Sequence, residues 1–198
     1  MIFLYKIPGY ILLLFGGFCL SWGGFIIRSF EEATVWQILL LRSVFFMIAL
    51  MIFLIATYKK KTIKIITDAG YPAMLGGLVM SLSFIAFVVS MSITTVANVV
   101  FIISTQTMFL AIFGYFYLRE KVSLISFFSI LLAMGGIIIM VGDSLSTGSF
   151  FGNIIALAIP INFSILVMII RKNKNLDMVP AIFYSGVFSI IYGLILSE

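Results

Sequence analysis

The chain has 198 residues, of which 63% are hydrophobic and only 10% charged, where a soluble domain carries about 25% charged residues. Too few charges are present to coat a water-facing surface, so a soluble enzyme or soluble binding module is excluded and lipid is the implied solvent. The net charge of +5 would suggest nucleic acid only if the basic residues formed a patch.

A membrane helix needs about 20 mostly apolar residues, and seven stretches of the chain meet that length. They are too long and too continuously apolar for the alternating strands of a barrel. The first, 9–27, follows Lys6. It lacks a small-x-small cleavage site and more spans follow, which argues against a signal peptide. Its Gly16, Gly17, Gly23 and Gly24, with Cys19 and Ser21, form small-residue faces suited to close packing. Trp22 among them is either a cavity wall or an interface anchor.

The second stretch, 35–57, contains Arg42, the one charge well inside a span. Arg at a helix centre costs roughly 2.5–3.5 kcal/mol on insertion scales. At 1.5 Å per residue it lies about 10 Å below the outer end of its helix. Either it faces the bundle and binds a solute carboxylate or phosphate, or it snorkels outward as a structural lock. The third stretch, 69–91, repeats the small-residue idea with Gly77-Ser81 and the Ser83-Ala86-Ser90 stripe.

The fourth stretch, 96–118, is the most polar. Asn98 and Thr105 are seven apart and share a helical face, flanked by Gln106. Ser104 and Thr107 point elsewhere. Asn98, Thr105 and Gln106 line a solute cavity, or they bridge neighbouring helices and bond back to their own backbone. Glu120 follows at the inner end, as a gate or as a surface ion pair worth under about 1 kcal/mol. The fifth stretch, 123–141, carries a Ser129-Ala133 packing pair.

The sixth stretch, 150–170, holds Pro160 and Asn162. Pro160 frees the carbonyl of Ala156. The result is a broken helix that points to a binding site, or a kink satisfied by Asn162 or Ser164. The seventh is 178–196.

Loop charge orients the spans. With the N-terminus inside, the cytoplasmic segments hold Lys6, Lys59, Lys60, Lys61, Lys64, Arg119, Lys121, Arg171, Lys172 and Lys174, whereas the outer segments hold only Arg28. This is a strong positive-inside bias. The basic residues are therefore topology signals attracted to anionic lipid, and nucleic acid is not a partner. The expected location is the inner (plasma) membrane, as a multi-pass protein.

The start of the chain and segment six are alike at an offset of 143 residues. Ser21, Ile26, Ile27 and Arg28 match Ser164, Ile169, Ile170 and Arg171, and Val44, Phe45 and Ile48 match Val187, Phe188 and Ile191. Five helices separate the copies, an odd number, so the copies are inverted in the membrane. Inverted repeats are a plan of secondary transporters, with the solute site between them. The expected division is a five-helix repeat over 1–143 and the start of a second over 144–198. Two full copies need about 286 residues, so the expectation is a chain truncated after the first repeat plus two helices. The alternatives are a genuine seven-helix protein or a half-carrier completed by a homo- or heterodimer partner.

Several motifs carry a family resemblance. They are Trp22-Gly23, Arg42, the run Ser92-Ile93-Thr94-Thr95-Val96-Ala97-Asn98, the stretch Leu118-Arg119-Glu120-Lys121-Val122-Ser123, Gly135-Gly136, Gly152 and Arg171-Lys172. With them the chain resembles the drug/metabolite transporter superfamily, specifically EamA-type proteins with two five-helix repeats. Two positions depart from the family pattern. Arg119 stands where the family often has Gly, and Thr107 where the fourth helix often has Pro. Without that Pro the fourth helix is expected to run straighter.

The expected fold is thus an all-α polytopic membrane protein of about seven helices. The resemblance implies a carrier or exporter of small, amino-acid-like metabolites working by alternating access. The residues expected at the solute are Trp22, Arg42, Asn98, Thr105, Gln106 and Asn162, with Glu120 and Pro160 in gating or structural roles. The alternatives are an accessory membrane protein or a nonfunctional fragment. No enzyme, cofactor or metal is expected. There is no His, one Cys, no paired intramembrane carboxylate and no ligand cluster. All seven acidic residues fall in loops or at edges. Proton coupling through a buried carboxylate is therefore absent, or the coupling residue lies outside this chain.

Overall fold

Helix ends in this chain are set by side chains that compete for, or complete, the backbone hydrogen bonds. The computed structural model describes residues 8–29, 33–120, 123–147 and 149–197. Among these residues the helices are α1 (Gly9–Ser29), α2 (Val35–Tyr58), α3 (Thr62–Asp68), α4 (Gly70–Ile93), α5 (Val96–Ser104), α6 (Gln106–Leu118), α7 (Leu124–Thr147), α8 (Phe150–Lys172) and α9 (Val179–Leu196). All seven predicted stretches are helical, and no strand occurs among the described residues. Among the described residues five stretches are long and apolar enough to cross a membrane: Val35–Asp68, Gly70–Ile93, Val96–Leu118, Phe150–Lys172 and Val179–Leu196. The apolar parts of α1 and α7 are shorter, Gly9–Gly24 and Leu124–Ile139. This is an all-α, multi-pass membrane fold.

A capping box opens α2. Gln37 N–H donates to Thr34 Oγ1 at 3.3 Å, and Thr34 N–H donates to Gln37 Oε1 at 3.0 Å. Thr95 caps α5, its Oγ1 accepting from the Asn98 N–H at 3.2 Å. Pro180 sits in the first turn of α9, where its missing N–H costs nothing. At the end of α6, Arg119 takes the left-handed conformation (φ 54°, ψ 33°). Glu120 N–H then reaches back six residues to the Gly114 carbonyl at 3.2 Å, so the left-handed residue closes the helix end. Glycine holds such a position without Cβ strain, which gives a physical reason for the Gly expected there.

Three local features differ from the linear reading. The basic segment after α2 is ordered: Lys59 turns the chain at φ 50°, a single 3-10 turn spans Lys59–Lys61, and α3 follows. Thr62 Oγ1 donates to the carbonyls of Lys59 (2.8 Å) and Leu54 (3.2 Å), which pins this turn. Gly70, at φ +58°, makes the corner into α4.

The fourth stretch is also interrupted, against the expectation of a straighter helix. Thr105 separates α5 from α6. Its N–H bonds the Ile102 carbonyl at 3.1 Å and its hydroxyl donates to the same carbonyl at 2.6 Å. Ser104 donates back to Phe101 O at 2.6 Å. Hydroxyl back-bonding of this kind bends a helix without proline. Conversely, α8 runs through Pro160 without a break. Ser164 Oγ donates to Pro160's own carbonyl at 2.8 Å, not to that of Ala156.

The centre of the bundle is α4, which packs most extensively on α8 and α9, with α2 against α9 and α6 against α8. Small residues make this possible. A Cβ on Gly77 would lie 2.8 Å from the Ala181 carbonyl and 2.9 Å from the Ser185 nitrogen, and one on Gly193 would lie 2.9 Å from Leu40 Cα. Ser81, Ser83 and Ser90 of α4 are buried as well. The glycines of α1 do not serve this purpose. Gly16, Gly17 and Gly23 have nothing within 4 Å of an added Cβ, and only Gly24 meets Val96. Two apolar clusters result, one around Met91, Val99, Ile102 and Ile159 and one around Ala73, Leu166, Met178 and Ala181.

Candidate solute site

Arg42 lies on the inward side of α2, beside buried Leu39 and Ser43. Its guanidinium carbon sits 4.6 Å from the ring centroid of Phe87 and 5.4 Å from that of Phe84, both on α4. Stacking on two aromatic faces holds a cation where no carboxylate is at hand. Its NH1 is buried and has no hydrogen-bond partner among the described residues.

Arg42 lines a cavity of about 1040 Å³ bounded by α2, α4, α8 and the start of α9. The walls are mainly apolar, with Phe46, Phe84 and Phe163 among them, and the polar groups are few. Toward the lysine-rich end the lining includes Arg171, Lys174 and Asp177. Asp177 is already engaged: Tyr58 Oη donates to Oδ2 at 2.6 Å and Val179 N–H to Oδ1 at 3.0 Å. This ties the end of α2 to the start of α9. Arg171 is engaged by Glu120 at 2.7 Å. An apolar chamber with a few converging polar groups is the usual form of a small-molecule site, and here the group deepest in the span is a cation.

A second polar centre lies at the opposite end of α8. Asn153, fully buried, accepts at Oδ1 from Thr94 Oγ1 (2.7 Å) and from Asn98 Nδ2 (3.3 Å). Asn98 Nδ2 also donates to Thr94 Oγ1 at 3.3 Å. Nδ2 of Asn153 is buried without a partner among the described residues. Gly152 lets Thr94 come this close, since an added Cβ would meet Thr94 Cβ at 2.6 Å.

The residues singled out in the sequence do not gather at one place. Arg42 lines the large cavity and Asn98 joins the Asn153 cluster. Trp22 is 51% exposed on α1, edge-on to Phe18 at 6.2 Å, and is not in the lining of the Arg42 cavity. Thr105 is buried and lines a separate groove of about 560 Å³ between α5, α6 and α7. Ser104 and Thr107 line that groove too, on the face of α5 and α6 turned toward α7. Gln106 and Asn162 are half-buried and lie outside the Arg42 cavity's lining, although Phe163 belongs to it.

Glu120 pairs with Arg171 across α6 and α8, with both side chains partly exposed. Pro160 is buried inside α8. Among the described residues no group of three His, Cys, Asp or Glu is placed to hold a metal.

Sequence reasoning missed Asn153, Phe84 and Phe87. Asn153 carried a usable signal, a carboxamide inside an apolar span. The two phenylalanines carried none, because nothing distinguishes them from lipid-facing ones until α2 is docked on α4.

No curated protein and no solved structure matches the chain. The sequence profile of the EamA-like transporter family matches residues 7–142, from before α1 to within α7. That range contains Arg42 with its two phenylalanines, Asn98 and Glu120, on an all-α multi-pass fold. The chain belongs to the EamA-like transporter family, whose members carry small solutes across membranes.

Proposed function

We propose that this protein carries small amino-acid-like solutes across the inner membrane by alternating access, as an exporter, with Arg42 holding the solute carboxylate. The observation that carries the reading is Arg42 itself, a cation stacked on Phe84 and Phe87 at the wall of a 1040 Å³ chamber, with one guanidinium nitrogen unpartnered among the described residues. Guanidinium binds carboxylate through paired, charge-assisted hydrogen bonds. In an apolar chamber that attraction is little screened. The basic ends of α2, α6 and α8 meet at one end of the bundle, through Tyr58–Asp177 and Glu120–Arg171. This supports a cytoplasmic placement of that end and a chamber loaded from the cytoplasm. The match of segment one to segment six supports rocking of two inverted repeats about the chamber.

The test is counterflow in proteoliposomes with labelled neutral, acidic and basic amino acids and with a matched amine that lacks the carboxylate. The carboxylate-bearing solutes should exchange and the amine should not. Arg42→Ala should lower exchange by roughly 10- to 100-fold, the equivalent of losing one hydrogen-bonded charge, with Arg42→Lys in between. Undiminished exchange by a well-folded Arg42→Ala protein would overturn the assignment.

A further inference from the structure

We infer that a second groove, between α4, α6 and α8 at the basic end, is a binding site for an anionic phospholipid. The groove holds about 440 Å³ and shares no lining residue with the Arg42 chamber. Its polarity is graded along the membrane normal. Tyr71 at the start of α4, Tyr117 at the end of α6 and Lys172 at the end of α8 stand at its mouth. Leu75, Phe113 and Ile165 line it further in. Phe113 lies about 6 Å below Tyr117 and Ile165 about 10 Å below Lys172, at 1.5 Å per residue. That is the depth profile of a headgroup with the first part of an acyl chain beneath it. Tyrosine at such a level is the usual interfacial anchor.

The charge at the mouth selects the headgroup. Arg171 is neutralised by Glu120 at 2.7 Å. Lys172, the next residue, has only a neutral partner: Nζ donates to Tyr117 Oη at 3.3 Å and lies 5.9 Å from that ring's centroid. No carboxylate is within ion-pair distance of Lys172 among the described residues. Tyr71 is 69% exposed, and its hydroxyl has no hydrogen-bond partner among them. One uncompensated ammonium and two phenols beside it suit a lipid phosphate. A lipid that carries its own headgroup cation would offset the attraction. Basic pockets between helices on the cytoplasmic side bind anionic headgroups for this reason.

The experiment uses the full chain, extracted in mild detergent, stripped of lipid and titrated with phosphatidylglycerol or with phosphatidylcholine of the same acyl chains, with bound lipid read by native mass spectrometry. Phosphatidylglycerol should bind tighter. Lys172→Gln should cut that preference roughly fivefold, from about 1 kcal/mol per basic residue near a membrane surface. Lys172→Arg should keep it, and replacing Lys59, Lys60 and Lys61 together by Gln should leave it unchanged. Lys172→Gln also removes a contact between α6 and α8, so Leu75→Trp, which fills the chain-binding part, provides a separate reading and should weaken both lipids. Equal binding of the two lipids overturns the site. So does an unchanged preference in Lys172→Gln, or an equal loss in the triple lysine variant. Displacement of the lipid by glycerol phosphate, or full lipid binding by a normally melting Leu75→Trp protein, would show that no acyl chain occupies the groove and would also overturn it.

Discussion

The side-chain amide of Asn98 donates to Oδ1 of Asn153 at 3.3 Å, across 55 residues of sequence, and the Thr94 hydroxyl donates to the same oxygen at 2.7 Å. One buried acceptor thus ties the turn between α4 and α5 to α8. Asn153→Ala removes both bonds, while Asn98 Nδ2 keeps Thr94 Oγ1 at 3.3 Å. Side-chain hydrogen bonds within membranes average about 0.6 kcal/mol, so a loss of about 1 kcal/mol is expected. Reversible unfolding in mixed micelles measures it. The Asn98→Ala/Asn153→Ala cycle should be non-additive; strictly additive losses would show that the two amides do not interact.

Arg42→Met separates solute binding from structural locking. Replacing a buried charge by an apolar side chain of similar length is often neutral or stabilising, and two aromatic faces accept a thioether. Stability should therefore hold within about 1 kcal/mol while exchange of carboxylate solutes is lost. A drop of several kcal/mol with the melt broadened would instead make Arg42 a structural lock.

Arg119→Gly should raise stability by about 0.5–1 kcal/mol, the strain of a left-handed non-glycine residue less the extra chain entropy of glycine. The bond from Glu120 N–H to the Gly114 carbonyl is kept, and with it the aim of Glu120 at Arg171. A stability equal to or below the parent in the same micelle assay would mean that Arg119 makes a compensating contact.

Two glycines in similar apolar surroundings should answer oppositely to alanine. Gly77→Ala pushes a methyl into the backbone of α9 at Ala181 and Ser185, and overpacking against backbone costs about 1–3 kcal/mol. Gly135→Ala meets nothing within 4 Å and should gain up to about 1 kcal/mol of helix propensity. Thermal melts of both variants side by side test the packing of α4 on α9. Equal shifts would contradict it.

Glu120→Gln should change stability by less than about 1 kcal/mol, because both it and Arg171 are partly exposed at the membrane surface. The loss should shrink further in high salt. A large, salt-insensitive loss would point to a gate buried in another state of the transport cycle.

Much of this protein was legible from the linear chain. Helical membrane spans, the segregation of lysine and arginine to one set of loops, the family motifs and the one charge well inside a span, Arg42, follow from hydropathy, loop charge and residue type. These quantities are local. A span must satisfy its own backbone in lipid whatever its neighbours are, and a charge in a span stands out without a partner.

What tertiary structure alone decided is which faces meet. Asn98 finds Asn153, and Arg42 finds Phe84 and Phe87, because α4 packs between α2, α8 and α9 on serines and glycines that look much like the unused glycines of α1. Thr105 lines the α7 side with Ser104 and Thr107, whereas Asn98 turns to α8. The break between α5 and α6 arises from the Thr105 hydroxyl choosing the carbonyl three residues back, a competition that helical periodicity does not encode. In lipid every helix face is nearly equally apolar, so hydrophobicity cannot rank the docking choices. Close packing of small residues and a few buried hydrogen bonds decide among them, and those exist only once the helices are together.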